Sequence, residues 1–103
     1  MTAFNLPIGY ANAEWLCCPH CDNYYLHQEE YRLTFSGDDY APCDAPTFAV
    51  DANTLHPTST KGNNLSTRYG PGIEIKFRCE NCCEQSFLHI AQHKGMTNVY
   101  WYN

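Results

Sequence analysis

Two short runs of this chain carry side chains able to do chemistry together: Cys18-Pro19-His20-Cys21 and, far downstream, Cys79-Glu80-Asn81-Cys82. A Cys-x-x-Cys turn aims two sulfurs at one point, while backbone N–H groups of the turn stabilise their negative charge. Two such turns supply four thiolates, the donor set of a closed, tetrahedral zinc site. Pro19 suits the first turn because its ring pre-sets φ and it brings no N–H that needs a partner. The position after each second cysteine favours positive φ. Asp22 holds it in the first turn and tolerates that conformation; Cys83 holds it in the second and tolerates it less readily, so the ligand register of that turn stays open by one residue. The expected ligands are Cys18, Cys21, Cys79 and Cys82, holding one structural zinc ion per chain.

Elements must bring these runs together, and the size of the chain bounds what those elements are. With 103 residues, the chain is expected to be a single domain, 1–103, with a core small enough for a metal clip to matter. The first residues show no basic region followed by an apolar run, and no stretch approaches the roughly twenty apolar residues of a membrane span. A soluble, cytoplasmic protein is the expectation. In that reducing compartment clustered cysteines read as metal ligands rather than disulfides, and seven cysteines cannot all pair within one chain.

Charge narrows the partners. Four thiolates add −4 and a zinc ion +2, which takes the formal charge from −5 to −7. Such a chain lacks the broad basic footprint of a nucleic-acid binder, although a local patch remains compatible with it.

Along the chain, Phe4 to Asn12 reads as an arm that packs without regular structure, and Glu14-Trp15-Leu16-Cys17 as a short strand delivering the first motif. From Tyr24 to Phe35, Tyr31, Leu33 and Phe35 alternate with Glu30, Arg32 and Thr34, a strand pattern preferred here to the competing helix over 26–33. Residues 37–72 are dominated by turn formers and are expected to be a long inserted loop, within which Thr47-Phe48-Ala49-Val50 suits a small strand. Ile73 to Cys79 is the clearest strand, with Ile73, Ile75 and Phe77 expected on a buried face and Glu74, Lys76 and Arg78 on the other. Ser86 to Gln92 returns from the second motif, Lys94-Gly95 turns the chain, and Asn98 to Tyr102 forms a last strand. The expected architecture is mainly β, an antiparallel sheet with the metal at one end.

Strand, Cys-Pro-x-Cys, strand, then strand, Cys-x-x-Cys, strand resembles a zinc ribbon, here with two knuckles on antiparallel β-hairpins and a long insertion between them. Gly62-Asn63-Asn64-Leu65-Ser66-Thr67-Arg68 and Ala91-Gln92-His93-Lys94-Gly95-Met96-Thr97 are also similar to segments of small, uncharacterised zinc-ribbon proteins of bacteria and phages. The resemblance touches about half of the chain. It implies a fold and a metal but no activity, because ribbons serve transcription, replication, nucleic-acid binding and protein docking alike.

Other residues have weaker claims. Cys18-Pro19-His20-Cys21 also resembles the motif of oxidising thioredoxin-like disulfide oxidoreductases, a fold that would need a helix starting at the motif and would leave Cys79 and Cys82 unexplained. His89 and His93, with Cys83, suggest a second metal or catalytic cluster, against the simpler reading of an imidazole hydrogen-bonded within the sheet. His20 is an alternative ligand that two complete cysteine pairs make unnecessary, and Cys17 and Cys43 read as small buried apolar residues. No catalytic residues are expected: no nucleophile arrangement or phosphate-cradling loop is present, and four sulfurs leave zinc no open position.

Two functional classes remain. One is a protein-interaction module whose acidic loop, with Asp38, Asp39, Asp44 and Asp51, or whose aromatic edge, with Tyr100, Trp101 and Tyr102, docks onto a protein partner, as small phage or mobile-element factors do to host machinery. The other is a nucleic-acid-binding ribbon that uses Arg32, Lys76, Arg78 and Lys94 with tyrosines for stacking. Neither implies a membrane or a small-molecule substrate.

Overall fold

The alternating run Ile73-Glu74-Ile75-Lys76-Phe77 forms one of the two central strands of a six-stranded antiparallel sheet. The computed structural model describes residues 6–34, 46–61 and 71–102. Its strands are β1 (Leu26–Thr34), β2 (Pro46–Asp51), β3 (Pro57–Lys61), β4 (Gly72–Cys79), β5 (Gln85–His93) and β6 (Met96–Tyr102), arranged β3-β2-β1-β4-β5-β6. Two meanders, β1-β2-β3 and β4-β5-β6, therefore meet along the β1–β4 ladder. None of the described helical segments is long and apolar enough to cross a membrane.

Local chemistry sets the turns. Lys94 and Gly95 have φ of 50° and 84°, the paired positive values of a two-residue hairpin whose twist matches the strands it joins. Between β2 and β3, the Asp51 carboxylate accepts the N–H groups of Asn53 and Thr54 at 2.8 and 3.0 Å, so the aspartate organises the turn. Those hydrogen bonds favour its charged form and hold the Asp51 carboxyl below its usual range.

The expected strands over Tyr24–Phe35, Thr47–Val50, Ile73–Cys79, Ser86–Gln92 and Asn98–Tyr102 are present with small shifts of boundary among the described residues, and Phe35 lies outside them. Four expectations need correction. Residues 37–72 are more than a loop, because β3 pairs with β2 and widens the sheet beyond the small strand expected there. Glu14–Cys17 forms no strand: its backbone finds no ladder partner among the described residues, and Trp15 and Leu16 stay exposed. The arm before it contains a 3-10 turn at Tyr10–Asn12, and Leu6, Ile8 and Tyr10 are exposed rather than packed.

The fourth correction concerns the faces of β4. Residues paired across neighbouring strands share a face, so one face collects Leu33, Phe48, Ile73, Ile75, Ile90 and Val99. The other collects Thr34, Thr47, Glu74, His89 and Tyr100. Glu74 and His89 are 2 % and 0 % exposed, whereas Leu33, Phe48 and Val99 are 44 %, 37 % and 47 % exposed. Glu74 was expected on the solvent side; it is buried because a hydrogen-bonded partner lies opposite it on β5. On the apolar face, Phe77 and Leu88 are buried toward the end of the sheet that carries the cysteine motifs, and Trp101 meets Phe77 edge-on at 5.7 Å.

Candidate metal centre

Antiparallel pairing sets Leu26, at the start of β1, opposite Cys79, at the end of β4. The first motif immediately precedes β1 and the second links β4 to β5, so both fall at the same end of the sheet. The two knuckles also repeat one backbone pattern. Cys18 N–H donates to Asn23 O at 2.8 Å and Asp22 N–H to Cys18 O at 2.9 Å. Likewise Cys79 N–H donates to Glu84 O and Cys83 N–H to Cys79 O, both at 3.0 Å. Asp22 and Cys83 close these turns at φ of 64° and 62°. That equivalence fixes the register of the second knuckle on Cys79 and Cys82, despite the unfavourable side chain at Cys83.

The four sulfurs converge. Cys18 Sγ lies 3.8 Å from Cys82 Sγ and Cys21 Sγ 3.5 Å from Cys79 Sγ, and all four lie within 4.8 Å of one another. A tetrahedron of sulfurs about 2.3 Å from a central ion has edges of about 3.8 Å, so the donor set fits a tetrahedral metal site. The separations are far from the disulfide bond length of about 2.0 Å, and all four cysteines are free. The His20 N–H donates to Cys18 Sγ at 3.4 Å, and the Asn81 amide reaches across to Cys21 Sγ at 3.6 Å. Asn81 was legible only as a filler position of its motif; its role needs the other knuckle in place.

The thiols respond unequally to this crowding. Donation from the Asn81 amide, and then from the Asn23 backbone, lowers the Cys21 pKa to about 6. Cys82 receives a lowering hydrogen bond from the Glu84 backbone, but partial desolvation and the neighbouring Cys79, Cys21 and Cys18 raise its pKa to about 12. Four thiolates this close need a cation among them, which is the electrostatic case for a metal.

Knuckle contacts continue into the sheet. Glu80 N–H donates to Tyr25 O at 2.9 Å, and the Glu80 carboxylate lies 3.2 Å from His27 Nε2. Cys17 and Cys83 stand outside the sulfur cluster, His20 contributes its backbone N–H, and Cys43 lies outside the described residues. No helix begins at Cys18-Pro19-His20-Cys21, and the chain instead enters β1, contrary to the thioredoxin-like arrangement.

The second cluster envisaged around His89, His93 and Cys83 is not assembled among the described residues. Cys83 belongs to the knuckle, and the His93 side chain lies outside the described ones. His89 instead places Nε2 2.9 Å from Glu74 Oε2, stacks on Tyr102 at 5.0 Å and meets Tyr100 edge-on at 5.0 Å. Its Nδ1 is buried without a hydrogen bond. Trp101 points to the opposite face, so the expected aromatic edge is divided between two faces.

Of the acidic loop, Asp38, Asp39 and Asp44 lie outside the described residues, while Asp51 is engaged in its turn. Three of the four cations expected to form a patch, Arg32, Lys76 and Arg78, are interleaved with acids. Arg78 Nε lies 3.3 Å from Glu29, Arg32 Nε 2.6 Å from Glu30, and Lys76 is paired with Glu30 in the β1–β4 register and interacts with Asp51.

Comparison with known proteins finds no matching family model, no similar curated protein and no similar solved structure. The likeness to zinc ribbons thus stands on the sulfur cluster and the strands around it.

Proposed function

We propose that the bound ion is zinc, one per chain, and that the site is structural, fastening the two meanders so that the sheet can present a docking face to a protein partner. Thiolate donors in a tetrahedron favour zinc or iron over harder ions, and a colourless protein with one equivalent of zinc separates the two. The filled donor set leaves no position for an activated water, which supports a binding role rather than catalysis.

The observation that carries this reading is the exposure of Leu33, Phe48 and Val99 on the apolar face. At the end of the sheet away from the metal, a cavity of about 360 Å³ opens among Leu33, Ile73, Ile90 and their neighbours. Sheets with an apolar face stabilise themselves by packing a second layer against it, and contiguous apolar surface of this kind marks interaction sites. The named residues of this face carry no charge, so it has little to offer a phosphate backbone, and Arg32 and Arg78 each sit beside a carboxylate.

The test is affinity capture from a cell lysate with and without nuclease, using the chain and its Leu33→Lys/Val99→Lys variant. A nuclease-resistant protein partner that the variant loses, at unchanged zinc content, is the expected result. A nuclease-sensitive partner retained by the variant would overturn the proposal in favour of nucleic-acid binding.

A further inference from the structure

The first knuckle also builds a pocket in which Cys21 is the one candidate metal ligand. Trp15, Cys21, Asp22, Asn23, Tyr24 and Tyr25 line a cavity of about 640 Å³, within the size range of ligand sites. Trp15, Tyr24 and Tyr25 are 70 %, 66 % and 68 % exposed, so their ring faces are available rather than spent on the core. The backbone at Tyr25 is tied to both knuckles, and Trp15 is braced by a neighbouring ring. Tyr25 N–H donates to the Asn23 side chain at 2.8 Å, Tyr25 O accepts the Glu80 N–H of the second knuckle at 2.9 Å, and Tyr10 abuts the Trp15 ring edge-on at 6.4 Å. Aspartate supplies the carboxylate, since Asp22 closes the first knuckle in the left-handed region.

We infer that Trp15, Tyr24, Tyr25 and Asp22 form a receptor for the guanidinium of an arginine side chain presented by a protein partner. The inference rests on the proposal that the partner is a protein. Aromatic ring faces are electronegative and attract cations, and a carboxylate beside them adds a counter-charge. Guanidinium is planar and weakly hydrated, stacks on rings and pairs with a carboxylate through two N–H groups, so it uses both features where a strongly hydrated ammonium uses them less well. No lysine or arginine lines the pocket, and the chain carries a formal charge of −5, which further favours a cationic occupant and opposes a phosphate.

The test titrates the zinc-loaded full chain with acetyl-Gly-Arg-Gly-amide and follows the indole N–H resonance of Trp15, assigned by its absence in Trp15→Leu. Half-saturation on the order of millimolar is expected for a single side chain in an open site. The citrulline peptide, a neutral isostere, should bind at least about fivefold more weakly, and the lysine peptide should fall between them. Asp22→Asn tolerates the same backbone conformation and should weaken arginine binding about threefold to fivefold, with zinc content as the check on folding. Should that variant lose zinc, Tyr24→Ala, outside the zinc ligand set, must show the same weakening. Equal binding of citrulline and arginine overturns the inference, as does oligothymidylate moving the Trp15 resonance at lower concentration than arginine. Leu33→Lys/Val99→Lys should leave the peptide titration unchanged, so failure of the docking face and failure of the arginine pocket give different results.

Discussion

Glu74 and His89 stand opposite one another on β4 and β5, a carboxylate oxygen 2.9 Å from the imidazole Nε2, with both side chains shut off from solvent. Burial makes the pair sensitive to loss of either member, because the survivor keeps the cost of leaving water without the bond that offset it. Glu74→Leu should therefore lower unfolding free energy by about 2–3 kcal/mol. Adding His89→Phe, which keeps a ring between Tyr100 and Tyr102, should recover more than half of that loss. Denaturant titrations of the two single variants and the double one measure the coupling; strict additivity would show that the contact contributes nothing.

The sulfur cluster makes an unequal prediction for neighbouring cysteines. Cys18→Ser and Cys82→Ser should drop bound metal well below one equivalent and unfold the chain under conditions where the parent is stable, because binding a structural ion is folding free energy. Cys17→Ala and Cys83→Ala should keep a full equivalent. Elemental analysis and thermal scans decide it, and metal loss in Cys83→Ala with retention in Cys82→Ala would move the ligand by one residue.

At Cys83 the backbone conformation is paid for by a side chain that dislikes it: φ is 62°. Cys83→Gly should raise stability by about 1 kcal/mol, provided the relief of strain exceeds the added freedom of the unfolded chain. Asp22→Gly should gain less, since aspartate tolerates this region better. A fall in melting temperature for Cys83→Gly would contradict the strain at this turn.

With the metal removed under conditions that keep the sheet folded, Cys21 should be a more reactive thiolate than Cys82 near neutrality. Cys21 is lowered to about 6 from 9.0, so its contribution to the folded metal-free state is complete above pH 9 and is lost as pH falls through 6. Cys82 is raised to about 12, so its contribution has the opposite sign, present below pH 9 and lost as pH climbs toward 12. At pH 7 iodoacetamide should label Cys21 before Cys82, read by peptide mass. Asn81→Ala removes the main donor to Cys21 and should narrow that difference; labelling that begins at Cys82 would refute the ordering.

The four-cysteine cluster was legible because Cys-x-x-Cys spacing is a local constraint that survives whatever separates the two copies. Most strands were legible for a similar reason, as in Ile73 to Phe77, where alternation is visible without knowing the neighbours. Alternation does not reveal how each face is covered, however, and Glu74 was assigned to solvent because its partner His89 lies fifteen residues on, across a ladder. β3 was illegible because Pro57-Thr58-Ser59-Thr60-Lys61 has the composition of a turn and is held in place by β2. Trp15 and Leu16 gave the opposite error: a run expected as a strand finds no partner strand among the described residues.

The irregularity in β1 between Gln28 and Glu30 governs how the chain can be edited. Leu26 and Gln28 share their side of the sheet with Cys79 and Phe77, yet beyond the irregularity it is Tyr31 and Leu33 that occupy that side. Glu29 is the odd beat that exchanges even for odd numbering, and its own groups are occupied, the carbonyl by Ala52 N–H at 2.8 Å and the carboxylate by Arg78 at 3.3 Å. A one-residue deletion here would force a choice: keep the knuckle in step with Cys79 and turn Leu33 over, or keep Leu33 in step and turn Leu26 over. Indels in this strand are thus confined to compensated pairs, while point substitutions at Glu29 leave the count intact.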